Sequence, residues 1–496
     1  MSYQGSIQNK KETKIKFKRM KKANVKMMIV SLILIATFQA TNAQTSVAKV
    51  GYFMDNAPQK HFLNPALVPT RGYFNIPALG SLDFDVRTTF GLNTFLYPGV
   101  NAGDPMVLFM NEAVDANEFL NKLSPENYFK LNNRFSLFGL GIYAGTSFWT
   151  FDVSTRWNTE LNAPKDFFRF LKLGIPDDQD IHYNITNLGI STELIGEASL
   201  GASFLIGDNI RVGAKGKLLV GGAKIGAGMD QIKIDIEPNN YIFKIKSEGK
   251  MSAYLAGIEL TEDDNGAIDG FEMGTPGMAG LGFAADLGAS WSPFSFLTVS
   301  AGITDLGVIN WNMTHNKVAK SSGEISYNGL DDFLNQGGGS GSGSGGDEEE
   351  STIDDQLIKI MQFKLQDEGE NLAVKLSPTI NVGAEAGIWE NRLSVGLLYS
   401  NKLIPNNSIS ELTAMVNIKP IHMLNITGSY TLMNSAIGSV PSFGFGVGLN
   451  LIVANIFLAC DYVPSNLTPQ FIPIDPVNTN VQLGLSWALG KMKKKN

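Results

Sequence analysis

Carboxylates at short spacing are the first residues in this sequence that could carry chemistry. Asp83 stands two residues before Asp85, and Glu193 stands four residues before Glu197. Such pairs can serve as the acid and base of a glycosidase or as ligands of a hard cation. On one face of a strand, however, residues at these spacings are more often simple polarity facing water. The sequence contains no nucleophile-elbow, phosphate-loop or zinc motif, so we predict no catalytic, cofactor or metal site and no enzyme.

The elements that carry such carboxylates are strands in which apolar and polar side chains alternate. From Trp149 to Trp157 the odd-numbered residues are apolar or β-branched, and the even-numbered residues are polar. Alternation with a period of two gives a strand one face in an apolar medium and one face in water. Eight residue steps of ~3.3 Å, tilted by ~40°, cover roughly 20 Å of height. That height approaches the apolar band of a transmembrane barrel.

The same alternation in other strands assigns twelve charged side chains to the polar face, which a barrel directs into its lumen. They are Asp83, Asp85, Arg87, Asp152, Arg156, Glu193, Glu197, Arg211, Lys215, Lys217, Asp286 and Glu385. Because both signs occur, these charges either line a polar conduit and hold a hatch, or pair across the lumen and fill it. Tryptophans at the limits of the apolar face predict aromatic girdles. They are Trp149, Trp157, Trp291, Trp311 and Trp487.

Alternating strands recur almost to the C-terminus and predict one all-β domain over residues 81–490. Six tight turns are expected, at Gly145-Thr146, Gly207 to Asn209, Ser292 to Ser295, Trp389-Glu390, Pro420-Ile421 and Val453-Ala454. Six hairpins plus a first and a last strand give a closed antiparallel transmembrane β-barrel of about 14 strands. Bacterial barrels place short turns in the periplasm. Both termini are therefore predicted to be periplasmic and the long loops extracellular.

The longest predicted loop covers residues 312–371. It contains a Gly/Ser run at 337–346 and four acidic residues at 347–350, a composition typical of a flexible, solvated segment that is either natural or inserted. The alternating stretch from Tyr241 to Leu255 would make the number of barrel strands odd, so we interpret it as an extracellular β-flap outside the barrel wall. Short helices are expected near Asn111 to Leu123 and Asp166 to Leu173.

Residues 1–43 have the pattern of a secretory signal. Basic residues precede an apolar core from Met27 to Phe38, which is too short for a transmembrane helix of ~20 residues, and Thr41-Asn42-Ala43 is a plausible cleavage site. An uncleaved anchor is the alternative. The chain carries −7 overall and this segment carries nine Lys or Arg and one acid, which leaves −15 for the mature part and argues against a nucleic-acid partner. A secreted chain of amphipathic strands is expected in the bacterial cell outer membrane, in contact with its lipid.

Residues 44–80 precede the first predicted strand and are expected to form a hatch inside the barrel. Several prolines argue against a strand, and apolar residues such as Phe53 and Phe62 are not needed in a free linker. Asn64, Pro65 and Ala66 are expected to turn the chain within the lumen. Residues 491–496 form a basic tail.

Three features together resemble a known family. They are the Asn64-Pro65-Ala66 segment, the count of about 14 strands, and the sequence from Gly302 to Gly307 followed by Trp311. The chain is similar in these respects to the FadL/PorV-type outer-membrane β-barrels, in particular an uncharacterised Bacteroidota branch. The resemblance implies a 14-stranded barrel in which the segment before the first strand is a hatch, as in FadL. The acidic Gly/Ser loop and the basic tail depart from that pattern.

Two functions follow from the resemblance. One is FadL-like passage of small hydrophobic molecules, and the alternative is a PorV-like accessory or docking subunit, with protein partners in a secretion or assembly complex. A continuous apolar tunnel past the hatch would favour passage. A sealed lumen, large loops and an apolar exterior patch would favour docking.

The first prediction concerns processing. Because basic, apolar and small residues follow one another before Gln44, mass spectrometry of the membrane form should show an N-terminus at or near this residue. Retention of Met1 or Met20 in the mature protein would contradict a cleaved signal.

Overall fold

The computed structural model describes residues 47–55, 57–77, 79–99, 105–174, 180–237, 242–263, 266, 268–275, 277–311, 316–328, 362–366, 371–389, 391–404, 408–435, 438–461, 475 and 477–490. The predicted signal, the Gly/Ser run with its acidic residues, and the basic tail lie outside this part of the chain.

Twenty-three strands form in the described residues, because alternating and β-branched sequences favour extended backbone. In chain order they are β1 (Gly72–Asn75), β2 (Leu82–Thr88), β3 (Leu96–Tyr97), β4 (Val107–Leu108), β5 (Glu126–Ala144), β6 (Ser147–Pro164), β7 (Ile181–Ile206), β8 (Ile210–Glu237), β9 (Ile242–Leu255), β10 (Ile258–Glu262), β11 (Ile268–Met273), β12 (Gly280–Phe294), β13 (Leu297–Trp311), β14 (Asn316–Asn328), β15 (Lys364–Leu365), β16 (Leu372–Lys375), β17 (Thr379–Ile388), β18 (Leu393–Lys402), β19 (Ile409–Ile421), β20 (Leu424–Ser435), β21 (Gly438–Asn450), β22 (Ala454–Asp461) and β23 (Asn478–Leu489).

Fourteen strand positions close into an antiparallel barrel, as predicted. β1 and β2 together occupy the first position and β16 and β17 together the eighth, because each pair lies along the same neighbours. The other positions are β5 to β8, β12, β13 and β18 to β23, and β23 pairs back onto β1 and β2. Closure leaves no unpaired edge in the membrane, so each backbone donor and acceptor of the wall can be satisfied.

All six tight turns lie at one end of the barrel, the short-turn end, where β1 begins and β23 ends. Gly145 and Gly207 have φ of +63° and +64° in the turns that follow β5 and β7, a conformation that glycine adopts without strain. Two turns lie later in the chain than predicted, at Ser295-Phe296 and His422-Met423. Most connections at the opposite, long-loop end are longer, which is the asymmetry typical of bacterial barrels.

The outer surface of the wall is apolar. Leu200, Phe283, Leu397 and Phe443 each have more than half of their surface exposed, although their neighbours in sequence point inward and are mostly buried. Single exposed apolar side chains are common on proteins in water, but an apolar surface that recurs around the wall indicates contact with lipid. The alternation therefore separates a lipid-facing surface from the lumen.

A four-stranded extension continues the wall at the long-loop end. The distal half of β8 pairs with β9, and β9 pairs along its length with β14, which in turn contacts β15. The β-flap predicted for Tyr241 to Leu255 is confirmed as β9. The prediction of one irregular loop over 312–371 is wrong in part, because Asn316–Asn328 forms β14 and uses the open edge of β9.

Three short helices at the long-loop end are α1 (Leu92–Phe95), α2 (Ala116–Asn121) and α3 (Lys165–Leu173). Their aromatic residues, including Phe119 and Phe168, form a hydrophobic cluster with the distal parts of β7 and β8. Ala163 belongs to this cluster and lies on β6, six residues after Trp157, with no register shift between the two residues. Ala163 and Trp157 therefore point to the same, outer side of the wall. We call the cluster the outer-face cluster because it covers the outside of the wall. None of the described helices is long and apolar enough to cross a membrane.

The first strand position begins earlier than predicted. Gly72 to Asn75 already pair with β23 and β5, so the boundary of the hatch at residue 80 is wrong. The chain leaves the ladder after Asn75 and rejoins it at Leu82, and Pro77 and Gly80 in this interruption hide the strand from an analysis of alternation.

Val153, midway between Trp149 and Trp157, tests which face meets lipid. Val153→Arg should lower the free energy of unfolding by roughly 2–4 kcal/mol, because an arginine at the lipid midplane is poorly solvated. Val153→Leu is the matched control and should change stability little. Urea unfolding in lipid vesicles measures both, and an equal effect of the two variants would contradict a lipid-facing Val153.

Candidate functional site in the barrel lumen

Residues 47–71, the N-terminal segment, lie within the barrel and contact strands on opposite sides of the lumen. The segment contains two short 3-10 turns, Lys49–Gly51 and Pro58–Phe62, separated and followed by irregular backbone. Most of its side chains are buried, including polar ones such as Gln59 and Asn64. Irregular backbone at membrane depth is tolerated only where protein or water satisfies its polar groups.

Asn64 forms the centre of the segment. Its Oδ1 accepts a hydrogen bond from the Ala66 backbone N–H at 2.9 Å, which closes a turn across Pro65. Its Nδ2 donates to the backbone oxygens of Ala301 at 3.1 Å and Ala289 at 3.4 Å, on β13 and β12. The Asn-Pro-Ala sequence therefore turns the chain and also binds it to the backbone of two wall strands.

Lumen-facing glycines make room for this turn. A Cβ atom at Gly288 would lie 2.0 Å from Asn64 Oδ1, and one at Gly213 would lie 2.4 Å from the Pro65 carbonyl oxygen. Any side chain there would displace the N-terminal segment. The glycines in these strands thus allow the backbone of the N-terminal segment to come close to the wall.

The beginning of the segment is held by carboxylates on the opposite wall. Asp461 on β22 accepts hydrogen bonds from the backbone N–H groups of Lys49 and Val50, at 2.6 and 3.0 Å. The Lys49 ammonium pairs with Glu411 on β19. Because Asp461 binds the backbone at Lys49 and Glu411 binds the Lys49 side chain, this end of the segment is fixed in both position and direction.

The end of the segment is held at the short-turn end of the barrel. The Arg71 guanidinium donates to the carbonyl oxygens of Leu451 and Ile452 and, at 2.7 Å, to Asn455 Oδ1. Tyr143 donates its hydroxyl proton to the carbonyl oxygen of Pro69 at 2.7 Å. These contacts connect the segment to the turns that precede β22 and β6.

His61 connects the segment to the charged side of the lumen. Its Nε2 lies 3.1 Å from Asp152 Oδ2, which also binds the Lys215 ammonium at 3.1 Å. Burial, with a further contribution from Lys215, lowers the pKa of the His61 imidazole. The neighbouring Phe62 ring lies 3.9 Å from the Arg134 guanidinium carbon and 4.6 Å from the Lys215 nitrogen. One aromatic ring therefore contacts two cations of the wall.

A network of ion pairs occupies the lumen beside this contact. Arg156 pairs with Glu197 and, at 2.9 Å, with Asp305, while Arg134 binds the other oxygen of Glu197 at 3.0 Å. Lys217 lies 2.7 Å from both Asp286 and Asp305. These side chains are almost completely buried. Opposite charges thus meet between neighbouring strands, as in Arg156 with Glu197, and between strands that are not adjacent, as in Arg156 with Asp305.

The twelve charged residues assigned to the lumen do not form one site. All twelve are buried or half-buried. Those not described above bind close neighbours: Asp83 with Ser81, Asp85 with Arg87, Glu193 with Lys224, and Glu385 with Ser394. Arg211 lies nearer the short-turn end, where it donates to the Thr146 carbonyl oxygen at 3.3 Å.

Two carboxylate pairs suggested a glycosidase or a metal site. In each pair, the two carboxylates bind different partners. Asp85 binds Arg87 and Asn132, whereas Asp83 binds Ser81. Glu193 binds Lys224 at 3.0 Å, while Glu197 belongs to the arginine network. Among the described residues no group of three or more His, Cys, Asp or Glu could hold a metal ion.

Trp311 is the one predicted girdle residue that the structure contradicts. Trp149, Trp157, Trp291 and Trp487 lie on the outer surface, but Trp311 is fully buried and packs near Tyr254. The cause is a bulge in β13, where Thr304 and Asp305 both point inward and Asp305 has φ of +60°. One extra residue reverses the faces of all later residues in a strand.

Sequence analysis missed several residues that hold the lumen together. Asp305 escaped because the bulge interrupts alternation, and Lys224 follows a second bulge at Gly222. Arg134 stands before a register shift in β5. Lys49, Glu411 and Asp461 carry no local signal, because their pairing joins distant parts of the chain.

The segment also makes apolar contacts with one side of the lumen. Tyr52, Phe53, Phe62 and Leu63 pack with Leu398 and Met415 of the wall. Val50, Met54 and small neighbours pack with Phe457 and Ala459. We call the four wall residues Leu398, Met415, Phe457 and Ala459 the apolar strip. The strip has two separate parts, one on the adjacent strands β18 and β19 and one on β22, with β20 and β21 between them. Both parts lie away from the ion-pair network.

Fourteen strands, a lipid-facing exterior and an N-terminal segment within the lumen define a transmembrane β-barrel. The sequence matches the family of unknown function DUF5723 over residues 65–461, and the chain belongs to this family. No curated protein sequence matches it.

Several solved structures share the barrel architecture at low sequence identity. The toluene transporter TbuX of Ralstonia pickettii is 9% identical, with 90% of this chain and 97% of that chain covered and a TM-score of 0.41. A FadL homologue of Pseudomonas aeruginosa is 10% identical, with 90% and 99% covered and a TM-score of 0.41. The P. putida toluene transporter TodX is 10% identical, with 90% and 97% covered and a TM-score of 0.38. Similarity this distant carries no argument about function, and the barrel is established by its own strand pairing.

Asp305 tests the energetic role of the ion-pair network. Asp305→Asn should lower the free energy of unfolding by about 3–5 kcal/mol, because it leaves Arg156 and Lys217 short of a buried carboxylate. Asparagine tolerates a positive φ, so the bulge itself is preserved. The control, Glu160→Gln, breaks a partly exposed pair with Lys130 and should cost about 1 kcal/mol or less. Equal unfolding midpoints for the two variants would show that the network does not stabilise the barrel.

Proposed function

We propose that this protein is an outer-membrane transport barrel in which the N-terminal segment is a hatch that controls the passage of small hydrophobic molecules. The observation that carries the proposal is the position of residues 47–71 across the lumen, held at both ends by hydrogen bonds and ion pairs. A neutral hydrogen bond exchanges with water at a net cost of about 0.5–1.5 kcal/mol, and a hydrogen bond to a charged group at about 1.5–3 kcal/mol. A segment held in this way can leave its position without unfolding the wall.

The apolar strip supports a hydrophobic solute. The N-terminal segment covers Leu398, Met415, Phe457 and Ala459. Displacement of the segment would uncover two apolar patches on one side of a lumen whose other side is charged. A small apolar molecule gains free energy by contact with such a surface, at roughly 25 cal/mol per Å².

The orientation follows the usual asymmetry of bacterial barrels. The short turns lie at the same end of the barrel as the beginning of β1 and the end of β23. This arrangement supports a periplasmic short-turn end and an extracellular long-loop end. Arg71 holds the last residue of the hatch at the short-turn end. The hatch would therefore move while its C-terminal end stays attached on the periplasmic side.

A docking subunit of a secretion or assembly complex is the second candidate function. The helices and extra strands at the long-loop end give this candidate a surface on which a partner protein could bind. In that case the N-terminal segment is a permanent filling of the lumen, and its movement has no role.

A reversible disulfide tests whether the segment moves. A Cβ atom at Gly446 would lie 3.4 Å from Val50 Cγ1, so Val50→Cys with Gly446→Cys places two sulfurs within bonding reach. The native Cys460 is replaced by serine. Oxidised protein should lose uptake of the hydrophobic dye N-phenyl-1-naphthylamine into intact cells, and a reductant should restore it.

The matched control is a disulfide within the wall. The hydroxyls of Thr413 and Thr431 lie 2.9 Å apart across β19 and β20, so Thr413→Cys with Thr431→Cys joins two strands and leaves the segment free. This variant should take up dye equally in both redox states. Dye uptake unchanged by the Val50–Gly446 disulfide would contradict a moving hatch, and loss of a co-purifying protein in its place would favour the docking function.

A further inference from the structure

The β10–β11 hairpin carries an apolar face that the described chain does not cover. Phe271 and Met273 on β11 are 72% and 82% exposed. Alternation places them on one face, together with Leu260, the partner of Phe271. Glu259 and Glu272 face each other on the opposite side and are both exposed. Two carboxylates directly opposite each other are stable only where water solvates them.

The base of the hairpin lies at the edge of the lipid-facing surface. Gly274 donates its backbone N–H to the Gly257 carbonyl oxygen at 3.0 Å, and Ala256, the preceding residue, donates to the Gly222 carbonyl oxygen at 3.0 Å. Gly222 is next to Gly221, which pairs with Gly280 at the beginning of β12. The hairpin thus leaves the wall where β12 enters the barrel.

The apolar band of the wall ends at the same level. On β12 the outward residues Trp291, Leu287 and Phe283 are at least half exposed and apolar. The next outward residue, Leu281, pairs with the exposed and polar Asn310. Gly280 is one residue beyond Leu281. The hairpin base is therefore within a few residues, at ~3.3 Å each, of the limit of the lipid band.

The far end of β11 from the hairpin base lies on the lipid side of the wall. Ile268 packs against the outer-face cluster, and its backbone N–H donates to the Phe363 carbonyl oxygen at 3.1 Å. That cluster shares its face with Trp157 on β6. Phe271 and Met273 are the residues of β11 nearest the base, so they are closer to lipid than Ile268 is.

We propose that the apolar face of the β10–β11 hairpin, centred on Phe271 and Met273, rests on the outer surface of the lipid bilayer. Its continuity with the lipid-facing wall favours lipid over a protein partner as the occupant. The acidic face, with Glu259 and Glu272, then points to water. The contact would hold the connection between β9 and β12 against the membrane, independently of whether the lumen transports a solute.

Spin-label accessibility tests this contact. Phe271→Cys, Met273→Cys and the control Glu272→Cys are each labelled in a Cys460→Ser background and placed in nanodiscs of dioleoylphosphatidylcholine. Labels at 271 and 273 should be several-fold more accessible to oxygen, which partitions into lipid, than to the water-soluble nickel complex of ethylenediaminediacetate. The label at 272 should show the reverse. All three positions are exposed, so heat-modifiable migration on gels should confirm that each barrel is folded.

Equal accessibility of all three labels to the nickel complex would overturn the proposal, because the apolar face would then lie in water. Labels at 271 and 273 that are open to the nickel complex in nanodiscs but shielded from both reagents in native outer membranes would also overturn it. That result would identify a protein as the occupant.

Discussion

A barrel of fourteen strands encloses more space than its own inward side chains can fill. Eight strands leave an interior that side chains just occupy, and sixteen leave an open aqueous channel. This chain meets the constraint by returning its N-terminal segment, residues 47–71, into the lumen. Because that segment is irregular, its backbone groups need partners. Asp461 accepts hydrogen bonds from the N–H groups of Lys49 and Val50, and Asn381 donates to the Leu63 carbonyl oxygen. The glycines of the inner face follow from the same need, since a side chain at Gly288 or Gly213 would displace the segment.

The lumen has two sides with different chemistry. On β5 to β8, β12 and β13, buried ions pair with one another around Arg156 and Asp305, and they touch the segment through His61 and Phe62. On β18, β19 and β22 the segment packs against the apolar strip, and Glu411 and Asp461 of the same wall bind Lys49. Breaking a buried ion pair leaves an unpaired charge at a cost of about 3–5 kcal/mol, whereas water replaces a neutral hydrogen bond, such as that of Tyr143 to Pro69, at a cost of about 0.5–1.5 kcal/mol. In the proposed movement, the larger network on the charged side would keep the wall in place while the segment leaves the apolar strip.

Much of this architecture could be predicted from alternation alone. The period of two identifies wall strands, the strand count and the inward charges, because each depends on residues adjacent in sequence. Trp311 was misplaced because one bulged residue, Asp305, reverses the faces beyond it, and β1 was missed because Pro77 and Gly80 interrupt its alternation. The contacts of Lys49 with Glu411 and of Asn64 with Ala301 join residues more than 200 positions apart, so only the closed barrel reveals them. The sequence shows which residues face the lumen, and only the closed barrel shows which of these residues contact one another.

Amide hydrogen exchange of the full-length protein in lipid nanodiscs tests the central claim that residues 47–71 form a separate, movable unit inside the barrel. The amides of Lys49, Val50 and Ala66 should exchange more slowly than free peptide and faster than those of the wall strands, because local opening requires less free energy than global unfolding. Exchange as slow as that of β18 and β19 would show that the segment opens only when the barrel unfolds, and exchange at the free-peptide rate would show that it does not occupy the lumen. Either result would contradict this account.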